Sequence, residues 1–157
     1  MAQSHTLQAF LNEYSSRLTF SSASKILCLE PSTGTTVTNW CKENLSHVDQ
    51  PTITTADSEN SPSNTAWPYK EASFTHIFAT LSPELKTSVK GLKFVHYSLL
   101  WKGIAVILPP EGGQVAGESV NFSRLVELGG FEPGKVRAIE IEGGEICFAM
   151  KWDMLTA

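Results

Sequence analysis

Two carboxylates stand where apolar runs give way to turns. Glu30 follows Ile26-Leu27-Cys28-Leu29, and Asp57 follows the β-branched stretch from Pro51 to Thr55. A carboxylate at the rim of an apolar site can polarise a substrate, relay a proton or fix a hydrogen-bonding group. Hydroxyl and aromatic residues occupy comparable places. Ser32 and Thr33 come directly after Glu30, Thr80 and Ser82 end a third apolar run, and Glu111 follows a fourth. Trp67 and Tyr69 lie in or beside a long polar loop, and Tyr14 sits on an amphipathic N-terminal stretch where it could close a rim. A set that is apolar and aromatic with a few acids and hydroxyls suits a small, mostly hydrophobic organic molecule better than a phosphate. Each residue also has a plainer role. Glu30 can be a solvated turn carboxylate or an acid favoured by a helix dipole. Ser32 and Thr33 can cap the next helix, Asp57 can form an Asx turn, and Trp67 can anchor its loop on the core.

Other chemistries find no support. There is no Ser-His-Asp order, His-x-x-x-His pair, phosphate-binding loop or paired metal-ligand spacing, so neither nucleophilic nor metal-dependent catalysis is indicated. His76 alternates within a buried strand and is expected to be a satisfied structural histidine. His96 and Tyr97 lie beside a helical core stripe and are expected to pack. Cys28, Cys41 and Cys147 are odd in number and scattered, which fits small core residues rather than a zinc site or a disulfide framework. The net charge is −4, with no basic stripe, so neither nucleic acid nor an anionic membrane is an expected partner. No apolar run is long enough for a bilayer span, and residues 1–11 lack the pattern of a secretory signal. A reduced, cytoplasmic setting is the expectation.

The elements that must position these residues follow from periodicity. At 157 residues the chain is expected to form one domain, 1–157. Leu7, Phe10, Leu11, Tyr14 and Leu18 form a one-sided helical stripe over about 6–18. Residues 25–29 read as a buried strand, 30–36 as a turn-rich loop, and 36–47 as a helix. Strands are expected at 51–55, 73–81 and 104–108. A helix starts at Pro83 and runs to 101–103, and a shorter one covers 122–128. Alternation on both sides of Gly143-Gly144 predicts a terminal hairpin over 136–142 and 145–152. Strands alternating with helices imply an α/β fold, a mostly parallel sheet with helices on both faces and a C-terminal antiparallel hairpin. Such a sheet binds ligands beyond the carboxyl ends of its strands. Those ends supply Glu30, Ser32, Thr33, Asp57, Thr80, Ser82 and Glu111.

Four segments carry a family resemblance. ILCLEPSTGTT (26–36), SFTHIFATL (73–81), LLWKGIAVIL (99–108) and FSRLVELGGF (122–131), with the terminal hairpin, resemble in order the Rossmann-like class I S-adenosylmethionine-dependent methyltransferases of fungal secondary-metabolite type. The resemblance implies a cofactor loop after the first strand, rich in glycine because backbone amides must approach the cofactor where a Cβ would clash. Only Gly34 survives there, with Glu30 and Ser32 in place of other glycines. Only one strand fits between the helix at 36–47 and Asp57, so a strand-helix unit is expected to be missing. By the same comparison Asp57 resembles the acid after the family's third strand.

Three functions follow from this pattern. The first is a biosynthetic enzyme that works without a cofactor on the repurposed fold, of cyclase, pericyclase (such as a Diels-Alderase) or isomerase type, with Glu30 and Asp57 as catalytic acids. Tyr14, Ser32, Thr33, Trp67, Tyr69, Thr80, Ser82 and Glu111 would bind its small hydrophobic substrate. The second is a minimal methyltransferase that still uses S-adenosylmethionine. The third is a non-catalytic pseudo-methyltransferase that docks a partner or forms a homodimer through an exposed sheet edge.

Overall fold

The structure is a computed structural model that describes residues 2–56, 69–80, 89–108, 130–141 and 144–151. Among the described residues three α-helices and six strands lie in this order: α1 (Ala2–Leu18), β1 (Lys25–Cys28), α2 (Pro31–Asn44), β2 (Thr52–Thr55), β3 (Phe74–Thr80), α3 (Val89–Ser98), β4 (Leu99–Leu108), β5 (Val136–Ile141) and β6 (Gly144–Met150). The strands form one sheet in the order β2-β1-β3-β4-β6-β5. The first four strands are parallel, and β6 runs antiparallel to both β4 and β5. This is the expected α/β architecture. The expected helix at 122–128 lies outside the described residues.

Period-two alternation divides the sheet into two faces. Ile26, Cys28, Phe78, Val106, Leu108 and Ile146 pack with Leu7, Phe10 and Leu11 of α1 and Val37 and Trp40 of α2. The alternate set, Leu27, Ile77, Ala105, Ile107 and Cys147, packs with Leu92 and Val95 of α3. The central strands are buried on both sides, which is why they read as continuous apolar runs. Trp40 Nε1 donates to Asn12 Oδ1 at 2.8 Å and ties α2 to α1.

Two boundaries differ from the sequence expectation. Helix α2 starts at Pro31, not near Thr36. Strand β4 starts at Leu99, where the helix was expected to continue to 101–103. Leu99 pairs with Phe74 and Ile104 with His76, so the strand bulges between them. Lys102 takes φ 71° there. The buried Lys151 Nζ donates to the Leu99 carbonyl at 2.9 Å, and the Lys102 amide donates to the Lys151 carbonyl at 2.7 Å. A Cβ on Gly103 would meet the carbonyl oxygens of Leu100 at 2.8 Å and Thr75 at 3.1 Å, so the bulge needs glycine there.

Among the described residues no helix is long and apolar enough to cross a membrane. No group of His, Cys, Asp and Glu among them could hold a metal ion.

His76 is the satisfied structural residue its position predicts. It is 5% exposed, with Nε2 2.6 Å from the Leu18 carbonyl and Nδ1 2.8 Å from Thr75 Oγ1. The Leu18 carbonyl is only an acceptor, so Nε2 carries the proton, and Nδ1 faces the Thr75 hydroxyl, which also lies 3.0 Å from the Lys25 carbonyl. The Phe20 ring stands edge-on at 4.8 Å. Burial lowers the imidazole's affinity for a proton, and the bond to Leu18 opposes this only in part. The folded pKa therefore lies below the ordinary 6.5, and the unfolded chain binds more protons as pH falls. The stability this residue contributes is complete above its unfolded value and is lost as pH falls toward its folded value. Urea unfolding between pH about 7.5 and about 5.5 should show stability falling with pH, by at most ~1.4 kcal/mol per pH unit from this residue, and the fall should flatten in His76→Gln. Equal slopes in both proteins would contradict the assignment.

Candidate functional site

The carboxyl edge of the parallel strands is built around the passage from β1 to α2. Only Leu29 and Glu30 separate them. The Leu29 amide donates to the Phe78 carbonyl at 3.0 Å, and the Ala56 amide to the Cys28 carbonyl at 2.9 Å, so the end of β1 is held on both flanks. Pro31 occupies the first helical position, where its fixed φ suits a helix and its missing N–H leaves nothing unpaired. The Glu-Pro-Ser-Thr-Gly stretch resembles a turn in composition, but the helix absorbs it.

Gly34 does not serve a cofactor loop. It is a buried helical residue whose amide donates to the Glu30 carbonyl at 3.0 Å. A Cβ at this position would overlap Oγ1 and Cγ2 of Thr55 and stand 3.0 Å from its Cβ. Its role is close helix-to-strand packing, one of the three separate tasks of glycines in a nucleotide-binding turn. The other two tasks, a tight turn and an approach by free amides, have no glycine here. Pro31 has no amide, so Ser32 and Thr33 alone offer free N–H groups in the first helical turn.

Glu30 is the N-cap residue of α2, half-buried in extended backbone, and its carboxylate makes no capping hydrogen bond. An N-cap glutamate whose carboxylate bonds none of the helix amides leaves them open to a ligand. Ser32 is exposed and Thr33 is 5% exposed. Both stand inside the helix, so neither is the N-cap that their residue types suggested. Thr80 ends β3 opposite Leu108 on the same edge. The structure thus brings Glu30, Ser32, Thr33 and the backbone of Thr80 to one rim. Asp57, Trp67, Ser82 and Glu111 lie outside the described residues.

Two aromatic residues are placed elsewhere. Tyr69 packs edge-on against Phe74 at 5.7 Å, at the amino end of β3. The chain must return from the carboxyl end of β2 to the opposite edge before it starts the parallel β3, and Tyr69 lies near the end of that return. Tyr14 stacks on Phe10 at 5.2 Å and lies 6.1 Å from Phe148, on the α1 face of the sheet. Helix α1 ends at Leu18, beside the amino end of β1, so its last turns lie over that half of the sheet.

The lone strand before Asp57 pairs directly with β1. In the common doubly wound order 3-2-1-4-5-6, that place belongs to the second strand. The comparison of Asp57 with an acid after a third strand therefore does not hold for the strand that precedes it. The buried thiols of Cys28 and Cys41 are unreactive. Burial pushes Cys28 up to about 12, with Cys41 adding to the effect, and burial raises Cys41 to about 11.

No family model matches the chain, and no curated protein does. Solved structures do match its fold. A methyltransferase dependent on S-adenosylmethionine (SAM) from Aquifex aeolicus superposes with a TM-score of 0.61 at 14% identity, over 92% of this chain and 91% of that one. The methyltransferase (CMeT) domain of the citrinin polyketide synthase superposes with a TM-score of 0.66 at 12% identity, over 96% of this chain and 52% of that one. The CurJ carbon methyltransferase gives 0.53 at 13% identity, over 96% and 54%. The chain thus spans about half the length of the last two. It has the Rossmann-like fold of the class I SAM-dependent methyltransferases. Of the glycines that the family's cofactor loop uses, the β1–α2 passage keeps Gly34, and it lies inside α2 against Thr55.

Gly34→Ala should destabilise the fold by roughly 1–3 kcal/mol through overpacking, although alanine favours a helix by about 1 kcal/mol. Adding Thr55→Ala removes the overlapping Oγ1 and Cγ2 and should recover part of the loss. Denaturant unfolding of both variants checks this, and a neutral or stabilising Gly34→Ala would refute the packing role.

Proposed function

We propose that the chain is a biosynthetic enzyme on a methyltransferase-like fold that works without S-adenosylmethionine, turning a small hydrophobic substrate into an isomer by cyclisation or rearrangement. The observation that carries this reading is the start of α2 at Pro31, which leaves no glycine cradle beside an otherwise packed fold. The likeness to a polyketide synthase domain and to a carbon methyltransferase is likeness of fold. It adds polyketide-like carbon chains as substrates worth trying.

Chemistry of this kind needs little covalent participation. Holding a flexible chain in a reactive conformation supplies much of the acceleration, because orientation removes an entropic barrier. A half-buried carboxylate at Glu30 beside the amides of Ser32 and Thr33 can polarise one end of a conjugated system or take and return a proton. Asp57, which follows β2 in sequence, is the second acid of the proposal.

A second reading is favoured by one observation. Strand β2 lies directly beside β1, so Asp57 follows the strand from which Rossmann folds take the acid that holds the ribose. On that reading the chain is a minimal methyltransferase.

One experiment separates the two. Purified protein is incubated with a panel of polyene and polyketide-type precursors, with and without S-adenosylmethionine, and products are weighed by mass spectrometry. The proposal expects a product of unchanged mass formed equally in both arms, at a rate reduced at least about tenfold in Glu30→Gln and Asp57→Asn. A product heavier by one methylene, formed only with S-adenosylmethionine, would establish the second reading instead.

A further inference from the structure

A concavity opens at the α1 face, away from the carboxyl rim. It encloses about 400 Å³ between the last turns of α1 and strands β4, β5 and β6. That is within the roughly 300–1,000 Å³ usual for small-molecule sites. Its apolar wall includes Phe10, Tyr14, Ile104 and Phe148. Its charged lining is Arg17, Lys135 and Arg137, and no acidic side chain is among the described residues that line it.

The arginines make this cavity unusual. The chain has three arginines and a net charge of −4, yet two of the three line this one cavity. Arg137 stands directly opposite Phe148 in the β5–β6 register, so its side chain leaves the sheet on the α1 face beside that ring. It is followed on the same face by Ile139 and the buried Ile141, which pack into the core. Arg17 lies three residues after Tyr14 and shares its helical face. Both arginines are exposed, and neither has an ion pair among the described residues. Each has a separate plainer role: Arg17 complements the carboxyl end of α1, and Arg137 is an inward charge that guards an edge strand. Neither role explains why both reach the same aromatic hollow from different elements.

We propose that this cavity binds a small amphipathic organic anion, with its apolar body against Phe10, Tyr14 and Phe148 and its carboxylate held by Arg17 and Arg137. Guanidinium groups pair with carboxylates bidentately, and the adjoining apolar wall lowers the competition from water. The site is separate from the Glu30 rim and does not depend on the reaction proposed there.

Decanoate below its micellar concentration and decanol below its solubility limit are the probes for calorimetric titration of the full chain. Decanoate should bind about tenfold or more tightly than decanol. The double variant Arg17→Gln/Arg137→Gln should lose that preference while keeping its decanol affinity and melting temperature, because both side chains lie at the surface. Glu30→Ala should leave decanoate binding unchanged. Equal affinity for the two probes, no binding of either, or a preference that survives the double variant would overturn the proposal. So would loss of decanoate binding in Glu30→Ala, because it would place the probe at the carboxyl rim.

Discussion

The contact between Gly34 and Thr55 sets the geometry on which the rest of this molecule depends. It brings α2 so close to β2 that no Cβ fits at position 34, and only two residues separate Pro31, where that helix starts, from the end of β1. The first turn of α2 is then fixed from below by packing and from behind by the amide of Gly34 on Glu30. A cofactor that needs several free amides at this point would have to unwind the turn. Unwinding would sacrifice the packing of Gly34 on Thr55 and the bond from its amide to the Glu30 carbonyl. The fold of a methyltransferase and the cofactor-free function proposed for it are compatible, because the residues concerned lie at the rim and not in the core.

The same geometry gives Glu30 its character. An extended N-cap residue with no capping bond leaves its own carboxylate and two helix amides available at a half-buried rim. Stability alone would favour a shorter side chain that bonds the amides directly. A residue that forgoes a local stabilising contact at the mouth of an α/β sheet is a candidate for function on physical grounds.

Much of the fold was legible because the central strands carry continuous apolar runs, and the helix pattern changes to alternation around Gly143-Gly144. The start of α2 was misread because Glu-Pro-Ser-Thr-Gly has the composition of a turn, while proline at a first helical position is equally a helix signal. Leu99 and Leu100 fitted a helical stripe, and what places them in β4 comes from far along the chain: the pairing of Leu99 with Phe74 and the clamp of Lys151 on the Leu99 carbonyl. The candidate site was legible only where it borders a strand end, as at Glu30 and Thr80. Tyr14 and Tyr69 were placed on the wrong edge, although parallel connections require the segments leading into β1 and β3 to lie at the amino side. Arg17 and Arg137 carried one faint signal: a charge at an inward-facing hairpin position ahead of Ile139 and Ile141.

The claim that the β1–α2 passage is closed to the family's cofactor is tested most directly by amide NMR at Ser32, Thr33 and Gly34. The account predicts slow hydrogen exchange at Gly34 and no shift of the three resonances as S-adenosylmethionine is raised to millimolar levels. Fast exchange at Gly34, with saturable shifts at all three amides, would contradict it.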